Sequence, residues 1–320
     1  MGTKDISVVV TTFNRDQFLD EALMSLAAQT IKLDQVVVVD DGGPGTAKQV
    51  VDKYGPSFQY FWQPNGGKQR ARNFGISKTQ GHWIAFHDDD DIWELNRCEI
   101  LRSVIFNDSV DLIVSNFLIF NETGIHTLSF FDHHAQHLPD FWKKIKRNEG
   151  EVYTVIDQLS PIELFPEYAF WGAMTIISKN TLVNIGGWDE SLKGVCSEDL
   201  DFIFRAIRNS RIALIWEPTV RYRSHPGNVS NDGTEKLLGR VEIAKRLIKK
   251  KMIYGAEIRS INLFIQKAQE EAHWSYFNKR NYQKVLEISK QIGWSNINFQ
   301  SKAKTAYSYI MQKSRGILWN

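Results

Sequence analysis

Four consecutive aspartates, Asp88 to Asp91, follow the apolar segment 82–86 after a single histidine. Like charges in a run repel one another, and each carboxylate is more stable in water than at the end of a buried strand. A divalent cation would neutralise the cluster, and hard cations such as Mg2+ or Mn2+ take oxygen ligands and share them with substrate phosphates. The run therefore predicts a metal site for a substrate that carries a diphosphate. The alternative is a solvated loop whose aspartates cap the helix that starts near Trp93.

Short apolar runs alternate with helical patterns through the first third of the chain. Strands are predicted at 6–10, 35–39, 58–62 and 83–86. The helical segments between them predict an α/β fold with a mostly parallel, doubly wound sheet, and such sheets bind ligands at the carboxyl ends of their strands. Thr11, Asp41 and the acidic run each follow a predicted strand, so one cleft could collect them.

The pattern is looser beyond residue 100. Strands are predicted at 112–114, 117–120 and 171–178, and a helix at 198–208. Residues 121–168 are rich in aromatic side chains and histidines, which is typical of variable substrate-binding structure. From about Gly233 apolar residues such as Leu237, Val241, Ala244, Ile248 and Met252 recur at helical spacing, which predicts a small helical bundle. We therefore expect one domain at 1–230 and a helical region at 231–320.

Charge is distributed unevenly between these two parts. Residues 231–320 contain 17 lysines and arginines and 7 acidic residues, a balance of +10. The whole chain has 39 basic and 37 acidic residues, which leaves 22 against 30, or −8, for residues 1–230. An acidic body suits metal binding, whereas a basic tail suits an anionic partner.

The two cysteines, Cys98 and Cys196, are interpreted as free thiols in a reducing compartment. The chain begins without a basic region followed by a long apolar stretch, and no later segment reaches about 18 uncharged apolar residues. We therefore expect a cytoplasmic protein without a membrane-spanning segment.

Several ordered motifs over residues 5–230 resemble those of family 2 inverting glycosyltransferases, which have the GT-A fold. They are ISVVVTTFNR at 6–15, VVVVDDGG at 36–43, PNGGKQRARNFGI at 64–76, HWIAFHDDDDIW at 82–93, GGWDESL at 186–192, SEDLDFIFR at 197–205 and YRSHPGNVS at 222–230. The resemblance identifies the acidic run with the DXD motif of that family. It implies transfer of a sugar from a nucleotide-diphosphate donor, most simply a UDP-sugar, to a hydroxyl in polysaccharide or glycolipid assembly.

For the metal and the diphosphate, the resemblance implies Asp90 as the principal ligand, with Asp88 assisting and Asp89 near the ribose. Mn2+ or Mg2+ is the expected ion. Arg72 would add positive charge against the phosphates. Lys68 or Arg70 could do the same. The alternative for these cations is a solvated helix face, which the sequence favours for Lys68 and Arg70.

For the base of the nucleotide, the resemblance implies Asp41, whose carboxylate can accept a hydrogen bond from a pyrimidine imide, and Thr11 in the same pocket. Asp40 and Asp41 could instead be turn and cap residues before the next helix. His225 could bind metal or diphosphate, and a hydrogen bond to the backbone is the alternative.

For the acceptor, the motif alignment implies Asp199 as the general base and Glu198 as its neighbour. Both residues start a predicted helix, so simple capping is the alternative. Asp201 is interpreted as a bystander. Trp171 and Trp188 could stack on a sugar or be buried in the core.

Three histidines, His133, His134 and His137, do not make a convincing zinc site, because no cysteine or further ligand motif accompanies them. Two other functions share parts of this pattern. A nucleotidyltransferase shares the sheet and the metal chemistry but needs a Gly-rich basic opening loop, which TTFNRDQF lacks. An inactive glycan-binding module is disfavoured by the intact Asp90 and Asp199.

The basic region suggests two kinds of partner. Residues 236–265 combine basic and apolar residues at helical spacing, which predicts peripheral association with the anionic inner face of the cell membrane. A homo-oligomer formed through the C-terminal helices is the alternative.

Overall fold

The computed structural model describes residues 5–137, 139–145, 147–148, 150–167, 170–208, 210–225 and 232–317. The chain divides into two compact units. The first contains residues 1–194 and 199–228, and the second contains residues 195–198 and 229–320. The last five residues of the motif at 222–230 lie outside the described residues.

The first unit is built around a sheet that has ten strands among the described residues. The strands are β1 (Ile6–Thr12), β2 (Gln35–Asp41), β3 (Phe58–Gln63), β4 (Trp83–Asp88), β5 (Ile92–Trp93), β6 (Leu112–Asn121), β7 (Gly124–Ile125), β8 (Tyr153–Ile156), β9 (Thr175–Ser178) and β10 (Ile212–Arg223). Their order is β3-β2-β1-β4-β9-β6-β10-β5, while β7 pairs with β6 and β8 with β10.

The sheet has a parallel half and a mixed half. Strands β3, β2, β1 and β4 run parallel, as the alternating pattern predicts. Strand β9 is antiparallel to both β4 and β6, and β10 is parallel to β6 but antiparallel to β5 and β8. The predicted α/β class is confirmed, and the mixed half is the part that the simple alternation does not anticipate.

Nine helices accompany this sheet in the described residues. They are α1 (Asp16–Ala27), α2 (Ala47–Val51), α3 (Lys68–Lys78), α4 (Arg97–Asn107), α5 (Phe130–His137), α6 (Pro139–Trp142), α7 (Leu164–Glu167), α8 (Lys179–Asn184) and α9 (Asp199–Ile207). The predicted helix at 198–208 corresponds to α9. The two strands predicted at 112–114 and 117–120 are one continuous strand, β6.

The centre of the sheet is covered on both faces. All seven residues of β1 and all seven of β2 are buried. Side chains alternate across a strand, so Val8 and Val38 pack in the same core as Leu23 of α1, whereas Val37 packs with Ala71 of α3 on the other face. This double burial fixes the strand register, and therefore fixes which polar residues emerge at the strand ends.

The second unit is helical, as predicted. Its helices are α10 (Gly233–Lys249), α11 (Glu257–Asn278), α12 (Tyr282–Ile292) and α13 (Phe299–Ile317). Leu237 and Val241 of α10 pack against Ala268 of α11, and Ala272 and Tyr276 of α11 pack against α12. Met252, which the spacing assigns to the first of these helices, lies beyond its end.

The cysteines and the hydropathy of the helices bear on two further predictions. Cys98 and Cys196 are free thiols, as predicted. Among the described residues, none of the helices combines the length and the hydropathy that crossing a bilayer requires.

Candidate active site

The strand register brings three of the predicted site residues to one edge of the sheet. Thr11 of β1 lies opposite Asp88 of β4, and Thr12 lies opposite Asp40 of β2. Asp41, the next residue of β2, is paired with Gln63 of β3. Because all four strands run in the same direction, their carboxyl ends meet here.

The acidic run forms a tight turn between β4 and β5. The Asp91 backbone N–H donates to the Asp88 carbonyl at 3.2 Å. Strand β10 holds the turn from the other side, since Arg223 donates its backbone N–H to Asp91 Oδ1 at 3.0 Å and its Nε to the Asp90 carbonyl at 2.9 Å. Asp89, Asp90 and Asp91 are buried by this arrangement.

Three of the four aspartates converge. Asp88, Asp90 and Asp91 each offer an oxygen, and these oxygens all lie within 4.8 Å of one another. Asp89 is not in this group, and it accepts from Thr12 Oγ1 at 2.7 Å and from Arg15 Nη1 at 3.3 Å. The geometry therefore adds Asp91 to the predicted ligands Asp90 and Asp88.

A further positive charge would stabilise the buried carboxylates of the turn in their ionised form. Burial, followed by the charge of Asp90, raises the pKa of Asp89 to about 6. Burial and the charges of Asp90 and Asp88 raise the pKa of Asp91 well above its ordinary value. Within the described part of the chain, Asp91 Oδ2 is buried without a hydrogen-bond partner. An all-oxygen donor set with one unused buried oxygen fits a hard divalent cation.

Asp88 differs from its neighbours because two cations contact it. Lys68 Nζ lies 2.6 Å from Asp88 Oδ2, and Arg72 Nη2 lies 2.9 Å from Asp88 Oδ1. Burial opposes ionisation of Asp88, but the charges of Lys68 and Arg72 outweigh it and hold the pKa of this carboxyl well below its usual range. Of the predicted cations of α3, Lys68 and Arg72 are therefore at the acidic turn, whereas Arg70 is exposed.

Arg72 is buried, and its guanidinium lies 4.1 Å from the centre of the Trp188 ring. One of its nitrogens, Nη1, has no hydrogen-bond partner among the described residues. A buried guanidinium with an unused donor beside a carboxylate cluster is suited to an anionic ligand such as a phosphate.

Two basic residues at the acidic turn were not predicted. Arg15 Nη1 lies 2.8 Å from Asp90 Oδ2, and Arg223 is described above. Arg15 lies three residues after the end of β1, so its position after a predicted strand could have indicated it. Arg223 ends β10, which the sequence patterns did not predict. His225, a predicted residue, has Nε2 at 3.1 Å from Asp90 Oδ2 and so belongs to this cluster.

Asp41 organises the turn that leads into α3. Its carboxylate accepts from Gln63 Nε2 at 2.6 Å and from the backbone N–H groups of Gly66 and Gly67, both at 2.8 Å. These contacts are those of the alternative, turn-forming role. The predicted role of Asp41 at a pyrimidine stays a prediction, as does that of Thr11, which is buried at the end of β1.

An open cavity of about 660 Å³ adjoins these strand ends. Its lining residues follow β1 or β2 and are Asn14, Asp16, Gly42, Gly43, Pro44 and Thr46. Phe13, which also follows β1, is 46% exposed. A concave surface with a nearby exposed aromatic ring at the carboxyl ends of parallel strands is a suitable place for a nucleoside.

Asp199 is the first residue of α9, and its carboxylate is oriented by the backbone. The Gly172 N–H donates to Asp199 Oδ2 at 2.9 Å. A Cβ on Gly172 would lie 2.9 Å from the Asp199 Cβ and 2.5 Å from the Trp188 ring, so this close approach requires glycine. The same turn, Gly172–Met174, shortens the predicted strand at 171–178 to β9. Glu198 is half-buried and belongs to the segment 195–198 of the second unit.

Trp188 connects the acidic turn to α9. Its ring stacks on Phe202 of α9, with 4.1 Å between centroids, and meets Phe86 of β4 edge to face. The guanidinium of Arg72 covers the same ring. Trp188 is buried, which is the packing alternative rather than sugar stacking. Trp171 is half-buried between Phe117 and Tyr222.

The remaining candidates have structural partners. Asp201 forms an ion pair with Arg205, whose Nη1 also donates to the carbonyls of Ile185 and Gly187. His134 accepts from the indole of Trp142, whereas His133 and His137 stack on each other. The three histidines therefore do not converge on one point.

Comparison with known proteins supports a family for the first part of the chain. The family model described as Glycosyl transferase family 2 matches residues 7–127. The predicted resemblance is thereby confirmed for residues 7–127, and this segment contains the strand ends, the acidic turn and α3.

Individual glycosyltransferases are also similar in sequence to this chain. An uncharacterized glycosyltransferase of Rickettsia typhi is 26% identical over 235 residues, which cover 72% of this chain and 68% of that protein. The cholesterol galactosyltransferase of Borreliella burgdorferi is 29% identical over 118 residues, or 36% of this chain and 33% of that protein.

Solved structures show the fold. A crystal structure of S. aureus TarS 1-349 has a TM-score of 0.60 at 16% identity and covers 95% of this chain and 89% of that one. The same protein in complex with UDP-GlcNAc gives a TM-score of 0.58 at 16% identity, covering 95% of this chain and 79% of that chain. The predicted GT-A fold is confirmed by this likeness.

Proposed function

We propose that this glycosyltransferase moves a sugar from a UDP-sugar to a hydroxyl of a glycan or lipid-linked acceptor, with inversion at the anomeric carbon. The observation that carries the proposal is the convergence of Asp88, Asp90 and Asp91 with Lys68 and Arg72 at one edge of the sheet. The carboxylates there could bind a metal ion, and the cations beside them could bind the phosphates of a metal-bound diphosphate. The choice of uridine is supported by the fold shared with TarS, which has been crystallised with UDP and UDP-GlcNAc.

On the donor side, Asp88, Asp90 and Asp91 would hold Mn2+ or Mg2+. When bound, the ion supplies positive charge that stabilises the departing diphosphate. Arg72 and Lys68 contact the same carboxylate and would turn their remaining N–H groups to the phosphate oxygens. The cavity beside Gly42 and Gly43 would receive the nucleoside.

On the acceptor side, Asp199 is proposed as the general base. The acceptor oxygen attacks the anomeric carbon from the face opposite the diphosphate while its proton passes to the Asp199 carboxylate. The bond between the anomeric carbon and the diphosphate oxygen breaks in the same displacement, so the configuration inverts. The Gly172 N–H fixes the orientation of the carboxylate for this role.

The acceptor is proposed to be a lipid-linked hydroxyl. The Borreliella burgdorferi relative is named for a lipid acceptor, which supports a lipid-linked hydroxyl in this protein also. The basic second unit would hold such an enzyme at the anionic inner face of the membrane, or would join two copies. In the stretch 236–265, Leu247 and Ile253 are buried, whereas Tyr254 and Leu263 are exposed, so its attraction to a membrane would come mainly from its lysines and arginines.

A thermal-shift panel tests the donor assignment. UDP and UDP-sugars with Mn2+ should raise the melting temperature, since a ligand at about 100 times its Kd stabilises the folded state by about 2.7 kcal/mol. Chelation of the metal should remove most of the shift. A shift with guanosine or cytidine diphosphates but none with UDP would contradict the uridine assignment, and slow hydrolysis of the UDP-sugar by the same protein would support catalysis over mere binding.

Asn73 offers a milder test of the site. Its side chain clamps the backbone of Trp188, donating to the carbonyl and accepting from the N–H, both at 2.9 Å. Asn73→Ala should loosen Trp188 and reduce kcat by about tenfold, because a small misplacement of α9 impairs catalysis more than donor binding.

The readout for Asn73 is the division between kcat and the affinity for UDP. Asn107→Ala is the matched control, since Asn107 is an exposed helical asparagine that donates to Ser103 on its own helix. Equal loss of kcat and UDP affinity in Asn73→Ala would point to general destabilisation instead of positioning.

A further inference from the structure

Helix α13 exposes apolar side chains along one face and buries polar side chains on the other. Phe299, Ala303, Ala306 and Ile310 are exposed, with Phe299 at 85% and Ile310 at 63%. Their spacings of four, three and four residues place them along one face of the helix. We call these four residues the α13 stripe. A helix that faces only water would carry polar residues there.

The buried side of α13 carries hydroxyl side chains that hydrogen-bond to neighbouring helices. Thr305 contacts His273 of α11 at 3.0 Å and Ser289 of α12 at 2.8 Å. Ser301 accepts from the indole of Trp274 at 3.1 Å. These hydrogen bonds fix the rotation of the helix, so the outward direction of the α13 stripe follows from specific contacts rather than from loose packing.

Aromatic and basic side chains adjoin the stripe. Trp294, in the short turn before α13, is 58% exposed, and Lys302 Nζ lies 5.8 Å from its ring centre. Tyr309 is 52% exposed, with Lys313 Nζ at 4.8 Å from its ring. Rings with an apolar body and lysines with long stems are the side chains that settle at the boundary between lipid and water.

Charge indicates the occupant of this surface. Residues 288–320 contain five basic residues, namely Lys290, Lys302, Lys304, Lys313 and Arg315, and no aspartate or glutamate. A second copy would bring the same positive charges to the interface with no acidic residue of this segment to offset them. A surface with anionic phosphates complements both the charge and the apolar stripe.

We propose that the α13 stripe, with Trp294 and the adjacent lysines, is a peripheral binding face for anionic lipid bilayers. Phe299 and Ile310 enter the interfacial layer, and the lysines contact lipid phosphates. This assignment moves the membrane contact from the predicted stretch 236–265 to α13. It does not depend on the chemistry proposed for the active site.

Vesicle sedimentation of the full chain tests the proposal. Wild-type protein should bind vesicles of phosphatidylglycerol and phosphatidylcholine in equal parts, at low salt, and should not bind pure phosphatidylcholine. The double variant Phe299→Ser with Ile310→Ser should bind at least about tenfold more weakly, because it removes the apolar area that enters the lipid. Both residues are largely exposed, so the fold should be retained, and unchanged thermal melting checks this.

Two control variants test whether other surfaces of the protein bind the vesicles. Phe106→Ser removes an aromatic side chain that is 82% exposed on α4, and it should bind vesicles like wild type. Lys249→Gln with Lys250→Gln weakens the earlier basic stretch and should have the smaller effect. Vesicle binding lost in the lysine pair but kept in the stripe variant would overturn the proposal.

Sedimentation velocity without lipid distinguishes a second copy. A wild-type dimer that dissociates in the stripe variant, together with absence of vesicle binding by the wild type, would assign the stripe to self-association and overturn the membrane role. Wild-type protein that binds neither vesicles nor itself would overturn it equally. If the double variant fails to fold, Phe299→Ser alone supplies the same comparison.

Discussion

Asp199→Asn is expected to reduce sugar transfer by about a hundredfold to ten-thousandfold while UDP binding stays near the wild-type value. The amide retains the shape of the carboxylate, and its Oδ1 can still accept the hydrogen bond from the Gly172 N–H. It cannot take a proton from the acceptor hydroxyl, so the transition state loses its general base. Steady-state transfer rates and calorimetry with UDP measure the two quantities on the same preparation.

Glu198→Gln is the matched control, since it makes the same chemical change at the preceding residue. We expect it to have the smaller effect on transfer. Transfer by Asp199→Asn within about tenfold of wild type would remove Asp199 as the base. A large loss in Glu198→Gln alone would then assign the base to that residue.

The parallel half of the sheet could be predicted because its residues have few alternatives. Strands β1 and β2 are buried on both faces and appear as continuous apolar runs, so their ends are clear in the sequence. Once the ends are known, Asp41 and the acidic run must lie at the same edge. The cluster around Asp88 follows from this local pattern.

The mixed half could not be predicted in the same way. Strand β10 changes register around Pro218 and pairs with β6 throughout and with β8 and β5 at its two ends, which no period in its own residues shows. Its last residue, Arg223, reaches the acidic turn only through this long-range pairing. Asp91 was not assigned to the metal because its convergence with Asp88 depends on that turn.

The helical unit shows a third kind of limit. Apolar spacing correctly predicted helices, but spacing alone does not distinguish a face that packs from a face that is exposed. Leu247 is buried, whereas Phe299 is exposed, although both belong to amphipathic patterns. The orientation of α13 depends on hydroxyl contacts such as Thr305 to His273, which carry no periodic signal.

Asp90→Ala is expected to abolish the metal-dependent part of UDP binding. The change removes the predicted principal oxygen ligand from the group that Asp88 and Asp91 complete. It also removes the carboxylate that Arg15 and His225 contact, so both lose that contact, while Arg15 keeps its contact with Asp89. Calorimetry with UDP should show Mn2+ increasing the affinity of the wild type, and the same addition should leave the variant unchanged, a loss of roughly a hundredfold or more.

Asp89→Asn is the matched control, because it also removes one carboxylate charge, at an adjacent position that is buried to a similar extent. Asp89 is 5% exposed and Asp90 is 7% exposed. The Asp89 oxygens accept from Thr12 and Arg15 and are not among the converging oxygens of Asp88, Asp90 and Asp91, so its amide variant should still respond to Mn2+ even if its affinity for UDP falls somewhat. If both variants lose the Mn2+ response equally, net charge would explain the effect. If Asp90→Ala keeps a wild-type response, the ion is held by other residues and the metal assignment fails.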